Sequence, residues 1–207
     1  MKNIVFDLGN VVIDIDFPKT YIALAELSAS FSEKEVEQII TEQNLWVNYE
    51  KGHYTDAEFR DLLRSHLSIE ATDEAIDQAF SALLLDIEPE RITLIKSLRS
   101  QYKTFVLSNT SNIHIIDVER ILYKCTGERY LNDLFDKVFL SYEMGKVKPH
   151  VSIYQQLLDE AGLEASETLF LDDKLENLEG AAQLGIQVAH IIPNQYTILD
   201  VFGAKSK

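Results

Sequence analysis

At 207 residues, with 46% hydrophobic and 26% charged side chains, the chain has a globular composition, which excludes collagen-like, coiled-coil and disordered classes. Its 34 acidic residues against 19 Lys and Arg give a formal net charge of -15, a surface that repels nucleic acid and anionic membranes. A small phosphorylated metabolite stays admissible as a partner, provided that a metal, a lysine or backbone N–H groups make its site locally positive.

Along the chain, the first apolar run is Ile4-Val5-Phe6, which stops at Asp7. Asp7 and Gly9 interrupt this opening stretch before a signal-peptide core can form, and nowhere does an apolar run reach membrane-spanning length. Cys125 is the one cysteine, so an intrachain disulfide and a thiolate metal cluster are both excluded. These features together predict a cytoplasmic protein.

Residues 18–87 lack strand-like runs and read as successive amphipathic helices. Ser32-x-x-Glu35 and Thr55-x-x-Glu58 are capping-box patterns, each followed by periodic apolar residues. Asn44 and Gly52-His53-Tyr54 mark helix breaks. An all-helical insert of this size exceeds an ordinary connection and predicts a separate cap over the rest of the molecule. Trp46, Tyr49 and His53 lie near the breaks; aromatic residues at this spacing usually pack a helical core, but Trp46 and His53 are also candidates for substrate contact.

After the insert, helical and strand-like segments alternate. The helical ones are 89–102, opened by Pro89, then 150–161, closed by Gly162, and 175–184, closed by Gly185. The apolar runs are Phe105-Val106-Leu107, Val138-Phe139-Leu140, Leu169-Phe170-Leu171 and 187–192. Short, almost continuously apolar runs suit strands buried on both faces, as in a parallel sheet. The expected fold is therefore α/β: a Rossmann-like doubly wound sheet from residues 1–17 and 88–207, with a helical cap over 18–87. The tail 203–207 is expected to fray.

Ligands of such sheets bind beyond the carboxyl ends of the strands, where Asp7, Ser108-Asn109 and Asp172-Asp173 fall. Three converging carboxylates, Asp7, Asp172 and Asp173, repel one another unless a cation lies among them, and oxygen donors without thiolate or clustered His favour Mg²⁺. Lys148 adds positive charge in the loop after the third run, and the Ser hydroxyl, the Asn amide and loop N–H groups complete a phosphate cradle. A carboxylate nucleophile, neutralising charge and hydrogen-bond donors are the components of phosphoryl transfer.

The ordered set F-D-L-G-N-V-V, V-L-S-N-T, G-K-V-K-P and F-L-D-D-K-L-E-N-L-E-G-A resembles the haloacid dehalogenase superfamily, and within it the capped phosphatases. F-D-L-G-N-V-V-I-D-I-D-F is most similar to the bacterial alpha-D-glucose-1-phosphate phosphatases. The resemblance implies that Asp7 attacks phosphorus to form an aspartyl-phosphate, that Ser108 and Asn109 hold phosphoryl oxygens, and that Lys148 offsets their charge. It further implies that Asp173 and the Gly9 carbonyl ligate Mg²⁺ together with Asp7, and that Asp172 and Asn177 position the metal's waters. Lys146 competes with Lys148, but its spacing to Pro149 fits less well.

One departure stands out. In most phosphatases of this family the residue two after the nucleophile is a second Asp that protonates the leaving group; here it is Gly9. General acid catalysis contributes roughly 10²–10⁴-fold, about 3–5 kcal/mol of barrier. Either the leaving group is better than an ordinary alcohol, as with an anomeric phosphate such as glucose-1-phosphate, or another residue supplies the proton. Asp14, Asp16 and His53 are the candidate substitutes. Alternatives are a phosphate-binding or regulatory protein with little turnover, a dehalogenase, or a phosphoryl-transferring mutase.

Overall fold

A computed structural model describes residues 1–203; of the tail expected to fray, 204–207 lie outside the described residues. The chain begins with β1 (Asn3–Phe6) and then runs through five helices: α1 (Phe17–Leu27), α2 (Glu33–Glu42), α3 (Leu45–Glu50), α4 (Asp56–Leu67) and α5 (Asp73–Phe80). Next come α6 (Pro89–Leu98), β2 (Lys103–Ser108), α7 (Asn112–Thr126), α8 (Leu131–Leu134), β3 (Lys137–Leu140), α9 (Ser141–Met144) and α10 (Val151–Ala161). The last elements are β4 (Thr168–Asp172), α11 (Leu175–Ala182), β5 (Gln187–His190) and α12 (Ile198–Val201). Among the described residues, no helix is long and apolar enough to cross a membrane.

The five strands form one parallel sheet in the order β3-β2-β1-β4-β5. Phe6 stands level with Val106 on one side and Leu171 on the other, so the residues that follow all emerge at one edge. Alternation along the strands feeds two cores. Ile4, Phe6, Val106 and Leu171 pack under α6, α7 and α12, while Val5, Phe105, Leu107 and Phe170 pack under α10 and α11.

The five helices after β1 enclose their own core of Leu24, Val36, Ile40, Tyr49, Phe59, Leu63, Ile76 and Phe80. Both capping boxes form: Ser32 N–H donates to Glu35 at 2.8 Å, and Thr55 N–H donates to Glu58 at 2.8 Å. Arg60 binds Asp77 through two nitrogens, at 2.8 and 2.7 Å, which ties α4 to α5. The cap core extends into the α/β part through Ile113 of α7, and Asn112 donates to Asp56 at 2.7 Å. At the end of α3, Gly52 (φ +71°) approaches the α/β part so closely that a Cβ there would lie 2.2 Å from the Tyr142 carbonyl oxygen. Only glycine accepts both that dihedral and that contact.

Candidate active site

The strand register explains why the acidic residues meet. Asp7 follows Phe6 directly, its N–H donating to the Leu171 carbonyl at 2.9 Å, and Asp172 ends the neighbouring strand β4. Each of Asp7, Asp172 and Asp173 offers a carboxylate oxygen within 4.8 Å of the others. Lys148 Nζ reaches between two of them, 2.8 Å from Asp7 Oδ1 and 2.7 Å from Asp172 Oδ2. All three of these side chains are nearly inaccessible, with Lys148 4% and Asp172 0% exposed.

Burial drives the Asp7 carboxyl above its usual range; Lys148 pulls it back, and Asp172 and Asp173 push it up again. For Lys148, burial alone works against the charged form. The charges of Asp7 and Asp172, with their hydrogen bonds, outweigh it and hold the ammonium above its ordinary value. Two carboxylates and one ammonium leave a net negative charge here, and Asp173 increases it, which suits a hard cation bound through oxygens.

The two acids after β4 are used differently. Asp172 accepts from Lys148, from the Lys174 N–H at 2.8 Å and from Asn177 Nδ2 at 3.0 Å to each oxygen, so its capacity goes to fixing its neighbours. Asp173 accepts from Asn10 Nδ2 at 2.8 Å and faces the crevice. Asp173 and Asp7 thus face the crevice with carboxylate oxygens that could hold a cation, and Gly9 lines it beside them. Asp172, expected among the metal residues, is in the carboxylate group but does not line the crevice; its place is behind Lys148.

The crevice encloses about 240 Å³. Its floor is Asp7, Gly9, Ser108, Asn109, Lys148, Asp173 and Asn177, and the cap contributes Tyr21, Asn44, Trp46 and Glu50 to its roof. Asn109 lines the crevice beside Ser108, and its amide also has a structural task. Its Nδ2 donates to the Lys148 carbonyl at 3.0 Å and its Oδ1 accepts the Lys148 N–H at 2.8 Å, so the amide fixes the lysine's backbone. Ser108 remains free to face phosphate, at 4% exposure.

Trp46 has two settings. It packs among Phe17, Tyr21, Phe80 and His114 at centroid distances of 4.8–6.0 Å, and it also lines the crevice. His53 does not line the crevice. Gly52 turns the chain outward after α3, and His53 lies with Lys51, Lys146 and His150 in a separate surface cavity. Lys146 is thereby displaced from the lysine role as well. Asp14 is held by Arg91 Nη1 at 2.7 Å, and Asp16 stands at the start of α1; neither lines the crevice.

At position 9 a Cβ would lie 2.7 Å from Ile15 Cδ1, the movable end of a half-buried side chain, so a longer residue there requires Ile15 to shift. Two functional residues escape the sequence reading. Asn10, in a left-handed conformation at φ 58°, steadies Asp173. Glu50 brings a carboxyl into the roof, with Trp46 Nε1 donating to its Oε1 at 3.0 Å. The Trp46-x-x-x-Glu50 spacing on one helix face was the available signal.

Comparison with known proteins identifies the family and the fold. The family model for haloacid dehalogenase-like hydrolases matches residues 1–185. D-ribitol-5-phosphate phosphatase from Bacteroides thetaiotaomicron is 30% identical over 192 residues, covering 90% of each chain. A HAD family enzyme from the same organism, solved with magnesium and inorganic phosphate, is 31% identical with a TM-score of 0.86, covering 94% of this chain and 96% of that one. A predicted HAD-like family hydrolase from Porphyromonas gingivalis is 29% identical with a TM-score of 0.88, covering 98% and 97%. The parallel sheet, the inserted helices, the strand-end acids and a match over most of the length together place this chain in the haloacid dehalogenase-like hydrolase family.

Proposed function

We propose that the chain is a phosphatase for a small phosphorylated sugar or polyol, with glucose-1-phosphate the leading candidate, acting through an aspartyl-phosphate on Asp7. The observation that carries this reading is the buried Asp7–Lys148–Asp172 chain, which opens into a small crevice roofed by polar groups of the cap. A volume of about 240 Å³ lies below the roughly 300–1,000 Å³ of pockets for drug-sized ligands, which favours a small substrate. Tyr21, Thr41 and Asn44 offer partners for hydroxyl groups. The relative named for D-ribitol-5-phosphate supports the same class.

The chemistry follows from the floor. Lys148 orients Asp7 and offsets charge on the phosphoryl oxygens, while the Ser108 hydroxyl donates to one of them. Asp7, Asp173 and the Gly9 carbonyl would hold Mg²⁺, which when bound would supply further neutralisation of phosphoryl charge. The Asp7 carboxylate then forms a bond to phosphorus as the ester P–O bond breaks, and water later hydrolyses the acyl phosphate. The cap, proposed to span residues 18–87, excludes bulk water during these steps.

The test is phosphate release with and without Mg²⁺ across glucose-1-phosphate, ribitol-5-phosphate, nucleotides, acyl phosphates and pyrophosphate, with Asp7→Asn as control. Metal-dependent turnover of a sugar or polyol phosphate that disappears in Asp7→Asn is expected. Turnover confined to nucleotides or pyrophosphate would overturn the substrate class, and turnover that survives in Asp7→Asn would overturn the nucleophile.

A further inference from the structure

We propose that Glu50, supplied by the cap, is the acid–base residue of the reaction and does the work of the carboxylate missing at Gly9. The assignment rests on phosphoryl transfer at Asp7.

Four observations converge on it. Glu50 lines the crevice with Asp7, Gly9, Ser108 and Asn109, on the roof opposite the nucleophile. Its carboxyl is held at one oxygen: Trp46 donates to Oε1, no protein group among the described residues bonds Oε2, and no ion pair consumes the charge. Its mount is rigid, because Trp46 is wedged among four rings and Gly52, two residues on, abuts the Tyr142 carbonyl. Finally, Asp14, Asp16 and His53, the other candidates, do not line the crevice.

The surroundings suit the task. Burial raises the Glu50 carboxyl to about 7, against the lowering effects of the Trp46 hydrogen bond and of the Lys174 and Lys148 charges. The remaining titratable groups around Glu50 are Asp7, Asp173, His114, whose imidazole burial holds below its ordinary value, and Tyr21, whose phenol is raised by its own burial and by Glu37 and Glu50. An acid near neutrality is matched to donating and then recovering a proton at physiological pH.

In the first step, Asp7 forms its bond to phosphorus, the bond from phosphorus to the leaving oxygen breaks, and the Glu50 proton passes to that oxygen. In the second, water attacks phosphorus, the bond to Asp7 breaks, and the proton released by water returns to Glu50.

The test compares the Mg²⁺-loaded wild type and Glu50→Gln on two esters: the preferred sugar or polyol phosphate, and p-nitrophenyl phosphate, whose leaving group departs without a proton. Glu50→Gln is expected to lower kcat on the first by about 10²-fold or more and to affect the second far less. Because the acid must be protonated, wild-type kcat/KM on the sugar ester should fall above about pH 7, and that limb should vanish in the variant. Trp46→Phe removes a bond that lowers the carboxyl's pKa, so it should move the limb to higher pH. Equal losses on both esters, or no loss on either, would overturn the role of Glu50 while leaving the nucleophile intact. Turnover surviving in Asp7→Asn would instead overturn the phosphoryl-transfer reading beneath it.

Discussion

The floor and the roof of the crevice are built on different principles. On the floor, adjacent strand ends and their loops converge through main-chain register, and the two groups at its base are bound several times over: Lys148 by Asp7 and Asp172, and Asp172 by Lys148, Asn177 and the Lys174 N–H. On the roof, Glu50 and Tyr21 project from helices held by apolar and aromatic packing, Asn44 projects from the turn between α2 and α3, and Glu50 has one hydrogen bond. Saturated bonding fixes chemistry that must not vary, while sparse bonding leaves groups free to meet a substrate or pass a proton.

The sharpest break in this contrast is Lys148→Met. It leaves Asp7 and Asp172 buried without their shared cation, which is expected to cost about 3–5 kcal/mol of stability. Its kcat should also fall by about 10²–10³-fold, through loss of a donor to developing charge. Urea unfolding and steady-state rates check both, and a stable variant with normal kcat would show that the floor is not saturated as described.

A second test addresses the joint between the two regions. His114 of α7 stacks on Phe80 of the cap, and burial depresses its pKa from 6.5 to about 4. A depressed histidine contributes stability that is present above its unfolded value and lost as pH falls towards its folded one. Between pH 7 and pH 5 wild type should therefore lose about 2 kcal/mol through this group. Asp7 and Glu50, whose values are raised, act in the opposite direction, so the quantity to read is the difference between wild type and His114→Gln at the two pH values. Identical pH dependence in the two proteins would remove His114 from the joint.

Gly52→Ala tests how far the roof depends on contact with the floor. The added methyl must push against the Tyr142 carbonyl and hold a left-handed dihedral, which shifts the last turn of α3. A displacement near 1 Å is expected to cost about 10²-fold in kcat. Thermal stabilisation by Mg²⁺, a property of the floor, should persist. The smallest effect is expected for His53→Ala and Lys146→Ala, in the separate cavity: less than about twofold in rate.

The floor was largely legible in the sequence, because residues that follow short apolar runs in a parallel sheet must emerge together at one edge. Asp7, Ser108, Lys148 and Asp173 needed no knowledge of strand order for that. The order β3-β2-β1-β4-β5 was not readable, since the buried strands carry interchangeable apolar residues. The roof was legible as helices, through its capping boxes and periodicity, but not in which faces it turns to the crevice. Glu50 is one of many acids on amphipathic helices and looks like a solvated residue until α3 is docked. His53, three residues later, was singled out by type, and the turn at Gly52 sends it elsewhere. Asn109 shows a further limit, since its amide binds main-chain atoms 39 positions away in the chain, a task that no local spacing reveals.

That last bond has a consequence for engineering. The two hydrogen bonds between the Asn109 amide and the Lys148 backbone make the end of β2 and the lysine loop a single module, although they are distant in the chain. A loop transplanted into a related scaffold carries the lysine but not the anchor that aims it. Grafts and chimaeras that move the 145–149 stretch will inherit its orientation only where the recipient already has asparagine at the equivalent of position 109.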